Sequence, residues 1–249
     1  MAHENRWYRQ LMQSSRFVSF NVTHKETDLW IGVDKDSYRV SMKDFIFQSI
    51  INYRNQLDEY INMNPDFKTS FAPILPDPTA PPIAVSMIEA SRKASVGPMA
   101  AVAGAFADYI AIDVKHQFSI KEIIIENGGD ISLTSVGPIQ IAVFAGNSSL
   151  SNKVGIEIPN AKNSIGVCTS SATVGPSISF GKTDATMIVC ESAALADAYA
   201  SYFGNLVKSP KDISSIIEKA KANVAILSAL IICGEEMGIC GKFELKLFK

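Results

Sequence analysis

Histidine is scarce in this chain. There are three in 249 residues, His3, His24 and His116, dispersed and each in a polar setting. No H-E-x-x-H pair occurs, which excludes the hydrolase arrangement that needs two imidazoles on one helix face, and nothing supports a Ser-His-Asp triad. The four cysteines, Cys168, Cys190, Cys233 and Cys240, include no C-x-x-C pair, which argues against a zinc knuckle or a thioredoxin-type redox pair. They are expected as buried structural thiols of a reducing compartment. G-x-G-x-x-G and the Walker lysine are missing too, so the ordinary nucleotide fingerprints are absent. Charge is thin, at 19% of residues, and nearly balanced, with 23 basic against 25 acidic side chains. Without a basic run, no nucleic-acid partner is expected. The longest apolar run, Val224 to Cys233, has ten residues, about half of the ~20 that a bilayer span needs, so no membrane partner is expected. The opening stretch, Met1 to Phe17, carries charge and has no continuous apolar core. It does not read as a secretory signal, and a cytoplasmic location is expected.

What the chain does hold is 47% hydrophobic residues, enough for a substantial core. Phe17 to Val22 alternates, and Thr27 to Val33 follows a polar turn, which predicts a hairpin. From Ser41 the apolar residues Phe45, Ile46, Ile50, Tyr53, Leu57 and Ile61 recur at helical spacing as far as Asn64-Pro65, and Ser41 with Asp44 forms a variant capping box. Pro73 to Pro82 holds five of the eleven prolines and predicts an extended connector, read as a long crossing loop. Helices are expected at Ile83 to Ala94 and, after Val96-Gly97-Pro98, on to about Ile110. One face of the second helix carries Met99, Val102, Phe106 and Ile110; the other carries Ala100, Ala101, Gly104, Ala105 and Asp108, so a helix or a ligand should approach it closely. The second half predicts strands at Ile120–Glu126, Ile131–Ser135, Ile139–Ala145, Gly155–Ile158, Ser164–Cys168, Ala185–Cys190 and Phe243–Leu247. Further helices are expected at Ser192 to about Leu206 and Ile213 to Cys233. Strands in adjacent runs and helices in pairs predict an α+β fold with an antiparallel sheet. A β-β-α-α-β-β order occurs at least once, from residue 17 to residue 135.

Three constellations could carry chemistry. Glu126-Asn127-Gly128-Gly129-Asp130 lies between two apolar strands. Its glycines permit a tight turn with exposed N–H groups that could meet a ligand, and Asn-Gly is equally a plain hairpin signal. Asp197 and Ser201 stand at i and i+4 in an alanine-rich helix, so their oxygens share a face. Such a carboxylate could hold magnesium, with water and phosphate completing the shell, or accept a hydrogen bond from a neighbouring turn. Cys168-Thr169-Ser170-Ser171-Ala172-Thr173-Val174-Gly175 places four hydroxyls at a strand end, donors for phosphate or ribose or simply a solvated loop.

In order along the chain, Ala103-Gly104-Ala105-Phe106-Ala107, Asn127-Gly128-Gly129-Asp130, Thr169-Ser170-Ser171 and Ala196-Asp197-Ala198-Tyr199-Ala200-Ser201 resemble the ApbE superfamily. Tyr8-Arg9, Glu26-Thr27-Asp28-Leu29-Trp30-Ile31, Pro98-Met99-Ala100-Ala101-Val102 and Gly204-Asn205 look like its short branch of archaea and anaerobic bacteria. The resemblance covers roughly residues 6 to 247. It implies an α+β tandem T-fold with antiparallel sheets, paired helices and a central ligand slot: one ApbE-like domain over 1–249, with module halves at about 1–135 and 136–249. In the flavin transferases of the superfamily, FAD and magnesium occupy the slot and FMN passes to a threonine hydroxyl of a target protein. Carried over, Asp197, Ser201 and the Ala103 carbonyl would hold magnesium. Asn127, Gly128, Gly129, Asp130, Thr169 and Ser170 match the family's cofactor-lining residues, and Ser171 and Thr173 extend that set.

The chain departs from the transferases in two places. They carry Ala-Lys-Gly where it has Ala103-Gly104-Ala105. They also carry a histidine-containing segment where it reads Ser177 to Ala185, leaving Asp184 as the nearest acid/base candidate. Two functions follow from the resemblance. One is an enzyme that binds a flavin nucleotide (FAD or FMN) with magnesium and transfers FMN or hydrolyses FAD. The other is a non-catalytic ligand-binding or accessory protein, with a role in anaerobic sulfur assimilation toward homocysteine as a family-level suggestion. Pterin chemistry is a further analogy at the level of the fold alone. A protein partner or a homo-oligomer is compatible with either.

Overall fold

The computed structural model describes Arg9, residues 15–174 and residues 179–248. His3, Tyr8, Gly175 and the first residues of the Ser177–Ala185 stretch lie outside them.

The chain opens with the expected hairpin, β1 (Phe17–His24) and β2 (Thr27–Asp34). Four helices then cross over: α1 (Met42–Met63), the single turn α2 (Asp66–Thr69), α3 (Pro82–Ala94) and α4 (Val102–Gln117), the last entered through a 3-10 turn at Pro98–Ala101. The capping box at the start of α1 does not form. Ser41 already has helical backbone angles, whereas a capping hydroxyl needs an extended residue to reach the free N–H groups. The proline-rich connector runs without regular structure from α2 to α3. Asp77 fixes it by accepting the Tyr60 hydroxyl of α1 at 2.9 Å.

Next come β3 (Ile123–Asn127), β4 (Asp130–Ser135), β5 (Ile139–Ala142), β6 (Val154–Ile158), β7 (Ala161–Ser170) and β8 (Ala185–Cys190). The chain continues through α5 (Ala193–Leu206), α6 (Ile213–Ala222), β9 (Ser228–Cys233), β10 (Glu236–Gly241) and β11 (Glu244–Leu247). The expected helix from Ile213 to Cys233 is therefore corrected: it ends at Ala222, and the apolar run beyond it is a strand. Every residue of β9 is buried, because β8 and β10 pair with its two edges and both its faces are covered. A strand in that position is apolar throughout and loses the alternation that would mark it.

Eight strands form one antiparallel sheet in the order β1-β2-β3-β4-β7-β8-β9-β10. The strand-strand-helices-strand-strand order thus occurs twice, and the β4–β7 pairing joins the two runs. The second run is hidden in the sequence wherever β9 is taken for helix. One face of the sheet is covered by helices, around a core that includes Leu29, Ile46, Met87, Ile110, Ala198 and Phe203. Against the other face lies a small sheet, β11-β6-β5, over Leu133, Val167, Met187 and Leu230. No single helix among the described residues is long and apolar enough to cross a membrane. The apolar stretches α3 and Pro98–Gln117 turn by 103° relative to one another. Cys168, Cys190 and Cys233 are buried free thiols, and Cys240 is half-buried.

Candidate functional site

The glycine turn is both a hairpin and a site element. Asn127 and Asp130 pair across it, and Gly128 and Gly129 take φ of 69° and 103°, which L side chains rarely adopt. Gly129 N–H donates to Glu126 Oε1 at 2.7 Å, and its carbonyl accepts Thr169 N–H at 3.2 Å. Asn127 Nδ2 donates to the Ala103 carbonyl at 3.1 Å. The turn is thereby fixed both to the end of β7 and to the first turn of α4.

The first turns of α4 and α5 lie against each other, and each helix supplies the other's cap. Asp197 of α5 accepts Gly104 N–H of α4 at 3.0 Å. Asp108 of α4 accepts Ala194 N–H of α5 at 3.0 Å and the Ser132 hydroxyl of β4 at 2.8 Å. Each carboxylate answers N–H groups that have no partner within their own helix and sits at the positive end of a helix dipole. Ser192 adds an ordinary cap by accepting Leu195 N–H at 3.3 Å. Glycine at 104 is required for this contact: a Cβ there would stand 2.2 Å from the Ala193 carbonyl oxygen. The small face of α4 therefore receives a helix. No side chain fits at 104 in this packing.

Three carboxyl groups gather here. Burial pushes Asp197 up to about 7 against the stabilising Gly104 and Ala103 amides, and nearby Asp108 adds to the rise. Burial raises Asp130 well above the usual carboxylate range, and the charge of Asp197 raises it further. Asp108 is likewise raised by burial, partly offset by the Ala194 and Ala193 amides and Ser132. Among the described residues no ion pair reaches Asp130 or Asp197. A low-dielectric carboxylate pair of this kind holds a proton or calls for a cation.

A cleft of about 1960 Å³ brings the elements together. Ala103, Asn127, Gly128, Gly129, Asp130, Thr169, Ser170, Ser171, Thr173, Asp197 and Ser201 all line it. Asp184 is not among its lining residues; its carboxylate accepts Gly234 N–H at 2.7 Å and the Thr173 hydroxyl at 3.2 Å. Two residues that support the site had no role assigned from sequence. Asp108 was noted only as part of a small helix face, and its capping role spans 86 residues with no local signal. Glu126, flanking the turn, is fully buried and holds Gly129; its proximity to the glycines was the available clue. Among the described residues no group of three His, Cys, Asp or Glu side chains is placed to hold a metal. Any metal here would rest on one carboxylate with hydroxyl, carbonyl, water or phosphate oxygens.

Proteins solved as flavin transferases share this fold. The structure aligns with the flavinyl transferase ApbE of Pseudomonas stutzeri at a TM-score of 0.55, covering 90% of this chain and 93% of that one at 11% identity. With a mutant form of the flavin transferase ApbE from Vibrio cholerae the TM-score is 0.57, covering 91% and 97%, again at 11% identity. At such identity the likeness is one of fold. Family follows from sequence. The model of the family described as AbpE bacteria matches residues 9–229. The UPF0280 protein of Methanococcus aeolicus is 39% identical over 221 residues, 87% of each chain, and that of Methanocaldococcus jannaschii is 38% identical over 223 residues, 88% of each. The chain belongs to the AbpE bacteria family, and the resemblance to the ApbE superfamily holds.

Proposed function

We propose that the cleft binds a flavin nucleotide, FAD or FMN, together with magnesium. The observation that carries this reading is the convergence in one cleft of the glycine turn, the hydroxyl-bearing end of β7 and the Asp197–Ser201 face of α5. Kinship of fold with proteins named flavin transferases points the same way.

The residues present fit the metal. Asp197 accepts Gly104 N–H through Oδ2 and is stabilised by the Ala103 amide as well, and its carboxylate keeps lone pairs beyond these two bonds. Ser201 stands one helical turn on, and the Ala103 carbonyl, which accepts Asn127 Nδ2 and lies in the first turn of α4, would exchange one of its hydrogen bonds for the metal. These are hard oxygen donors, few enough that water and phosphate complete the shell, as magnesium prefers. Magnesium bound there supplies positive charge against the nucleotide's phosphates. For their part, the turn amide of Gly128 and the hydroxyls of Thr169, Ser170 and Ser171 donate to phosphate or ribose oxygens, while Thr173, whose proton goes to Asp184, offers its oxygen as an acceptor. Asp130 adds a carboxyl group that donates a hydrogen bond when protonated. Asp184 acts on a ligand through Thr173, whose hydroxyl it holds. FMN transfer and hydrolysis of the FAD pyrophosphate are the reactions this assembly would serve. A second reading, binding without transfer in support of a partner enzyme, is favoured by one observation, the exclusion of any side chain at position 104.

The test is a purified sample equilibrated with FAD with and without magnesium. Magnesium-dependent retention of flavin that Asp197→Ala abolishes is expected; no retention under any metal condition overturns the proposal. Release of AMP from FAD separates cleavage or transfer from binding alone.

A further inference from the structure

A feature outside the machinery just described reaches into it. Arg9 comes from the start of the chain, yet its guanidinium is almost enclosed, with 9% of the side chain exposed. Nε donates to Glu126 Oε2 at 2.7 Å, Nη1 to Asp28 Oδ1 at 2.9 Å and Nη2 to the Asp28 carbonyl at 2.7 Å. Burial opposes its charge, but the Glu126 and Asp28 carboxylates prevail and hold the guanidinium above its ordinary range. Glu126 carries the contact onward, since its other oxygen accepts Gly129 N–H at 2.7 Å. Gly129 in turn accepts Thr169 N–H. The series Arg9, Glu126, Gly129, Thr169 connects the N-terminal segment to both elements that line the nucleotide end of the cleft.

We infer that Arg9 is a positioning residue for the ligand site. It neutralises a fully buried Glu126 within a few residues of Asp130, and it fixes the carboxylate so that the glycine turn takes one conformation. Two glycines at positive φ leave the turn with little rigidity of its own, so the restraint comes from Glu126. Loss of Arg9 would leave more of the Glu126 charge uncompensated near Asp130, which Glu126 already helps to raise. The bridge needs a planar fork that meets a carboxylate on one side and a carboxylate and a carbonyl on the other, which lysine cannot supply. Ligand affinity at the turn therefore depends on whether the Arg9 contact to Glu126 is made.

This inference rests on the proposed flavin site, and its test keeps the two apart. FAD in the presence of magnesium is titrated into the full-length wild type, Arg9→Gln, Arg9→Lys, Glu126→Gln and the Arg9→Gln/Glu126→Gln double variant. Amide exchange at Gly129 is followed in the same ligand-free samples. Arg9→Gln is expected to weaken FAD binding by about 10- to 100-fold, the range seen when a group supporting a binding residue is removed. Arg9→Lys should also bind more weakly than wild type. The double variant should be no weaker than the poorer single, because both act through one contact. Gly129 amide exchange should quicken in Arg9→Gln and Arg9→Lys while that of Ile231, in the central strand β9, does not. Wild-type affinity in both Arg9 variants, or fully additive losses in the double, overturns the inference. If the wild type binds no flavin, the proposed function fails while Arg9 is still judged. An unchanged Gly129 amide in the folded Arg9→Lys protein then overturns its positioning role.

Discussion

The two faces of the eight-stranded sheet are covered in different ways. On one, helices close so tightly that backbone meets backbone: a Cβ at Gly104 would lie 2.2 Å from the Ala193 oxygen. On the other, three short strands leave room, and their edge strand β5 contributes Ile139, Gln140, Ile141 and Ala142 to the cleft wall. The helical face puts its polar groups where packing needs them, as buried caps. The open face tolerates exposed ones, as the alternating half-buried and exposed residues of β5 record. The site forms where the regimes meet, at the paired N-termini of α4 and α5. Carboxylates that cap helices also stand at the edge of open space there, so Asp197 belongs to the fold and to the site at once.

The sharpest way to break this comparison is to make one substitution on each face. Gly104→Ala puts a Cβ into the Ala193 carbonyl and is expected to cost roughly 3 kcal/mol or more. Trimming Ile141 to Ala on the open side should cost less than about 1.5 kcal/mol. Denaturant midpoints of the two variants measure the gap, and equal losses would remove the distinction.

Next in size is Asp108→Ala, expected to destabilise by about 2–3 kcal/mol, since the Ala194 amide and the Ser132 hydroxyl lose their acceptor inside the core. Because Asp108 does not line the cleft, flavin retention by the folded fraction should survive. Loss of retention at full foldedness would place Asp108 in the site.

Asp197→Asn tests the dual role through pH. The carboxyl rises from an ordinary 3.8 to about 7 in the folded chain. Between those values the folded state binds a proton that the unfolded state lacks, so ligand-free stability increases as pH falls from about 7 toward 4. Above about 7 both states are ionised and the buried charge exerts its full destabilising effect. The asparagine variant should lose the Asp197 share of that slope, keep what Asp130 and Asp108 contribute, and be the more stable protein at pH 8, while wild-type magnesium binding should weaken as pH falls through 7. Melting temperatures from pH 5 to 8 check the first part; a slope unchanged by the substitution would contradict it.

The smallest effect is expected at Asp184. Its replacement by Asn should cost about 1 kcal/mol from weakened bonds to Gly234 and Thr173, with little change in flavin retention. A fall in AMP release without any loss of stability would show that Asp184 acts on the ligand directly.

Several features of this molecule could be read from residue order alone. The β1–β2 hairpin, α1, α5 and the Asn-Gly-Gly-Asp turn follow from periodicity and from glycine's freedom at positive φ, which are local properties of the chain. The grouping of Asn127, Thr169 and Asp197 was carried by resemblance to a family, and spacing alone left each with an ordinary alternative. Other features had no local signature. Within Val224 to Cys233, Ser228–Cys233 is a strand because β8 and β10 flank it, and an apolar run of ten says nothing of its neighbours. Asp108 looked like one polar residue on a small helix face until α5, 86 residues on, brought the Ala194 N–H of its first turn to it. Arg9 gained its place from Glu126, 117 residues away. What the sequence by itself determined was which segments are helix, strand or turn, wherever the hydrophobic pattern keeps a period. Only the tertiary structure decided which buried charges have partners. Burial and distance set the energy of a charge, and both are properties of the assembled chain.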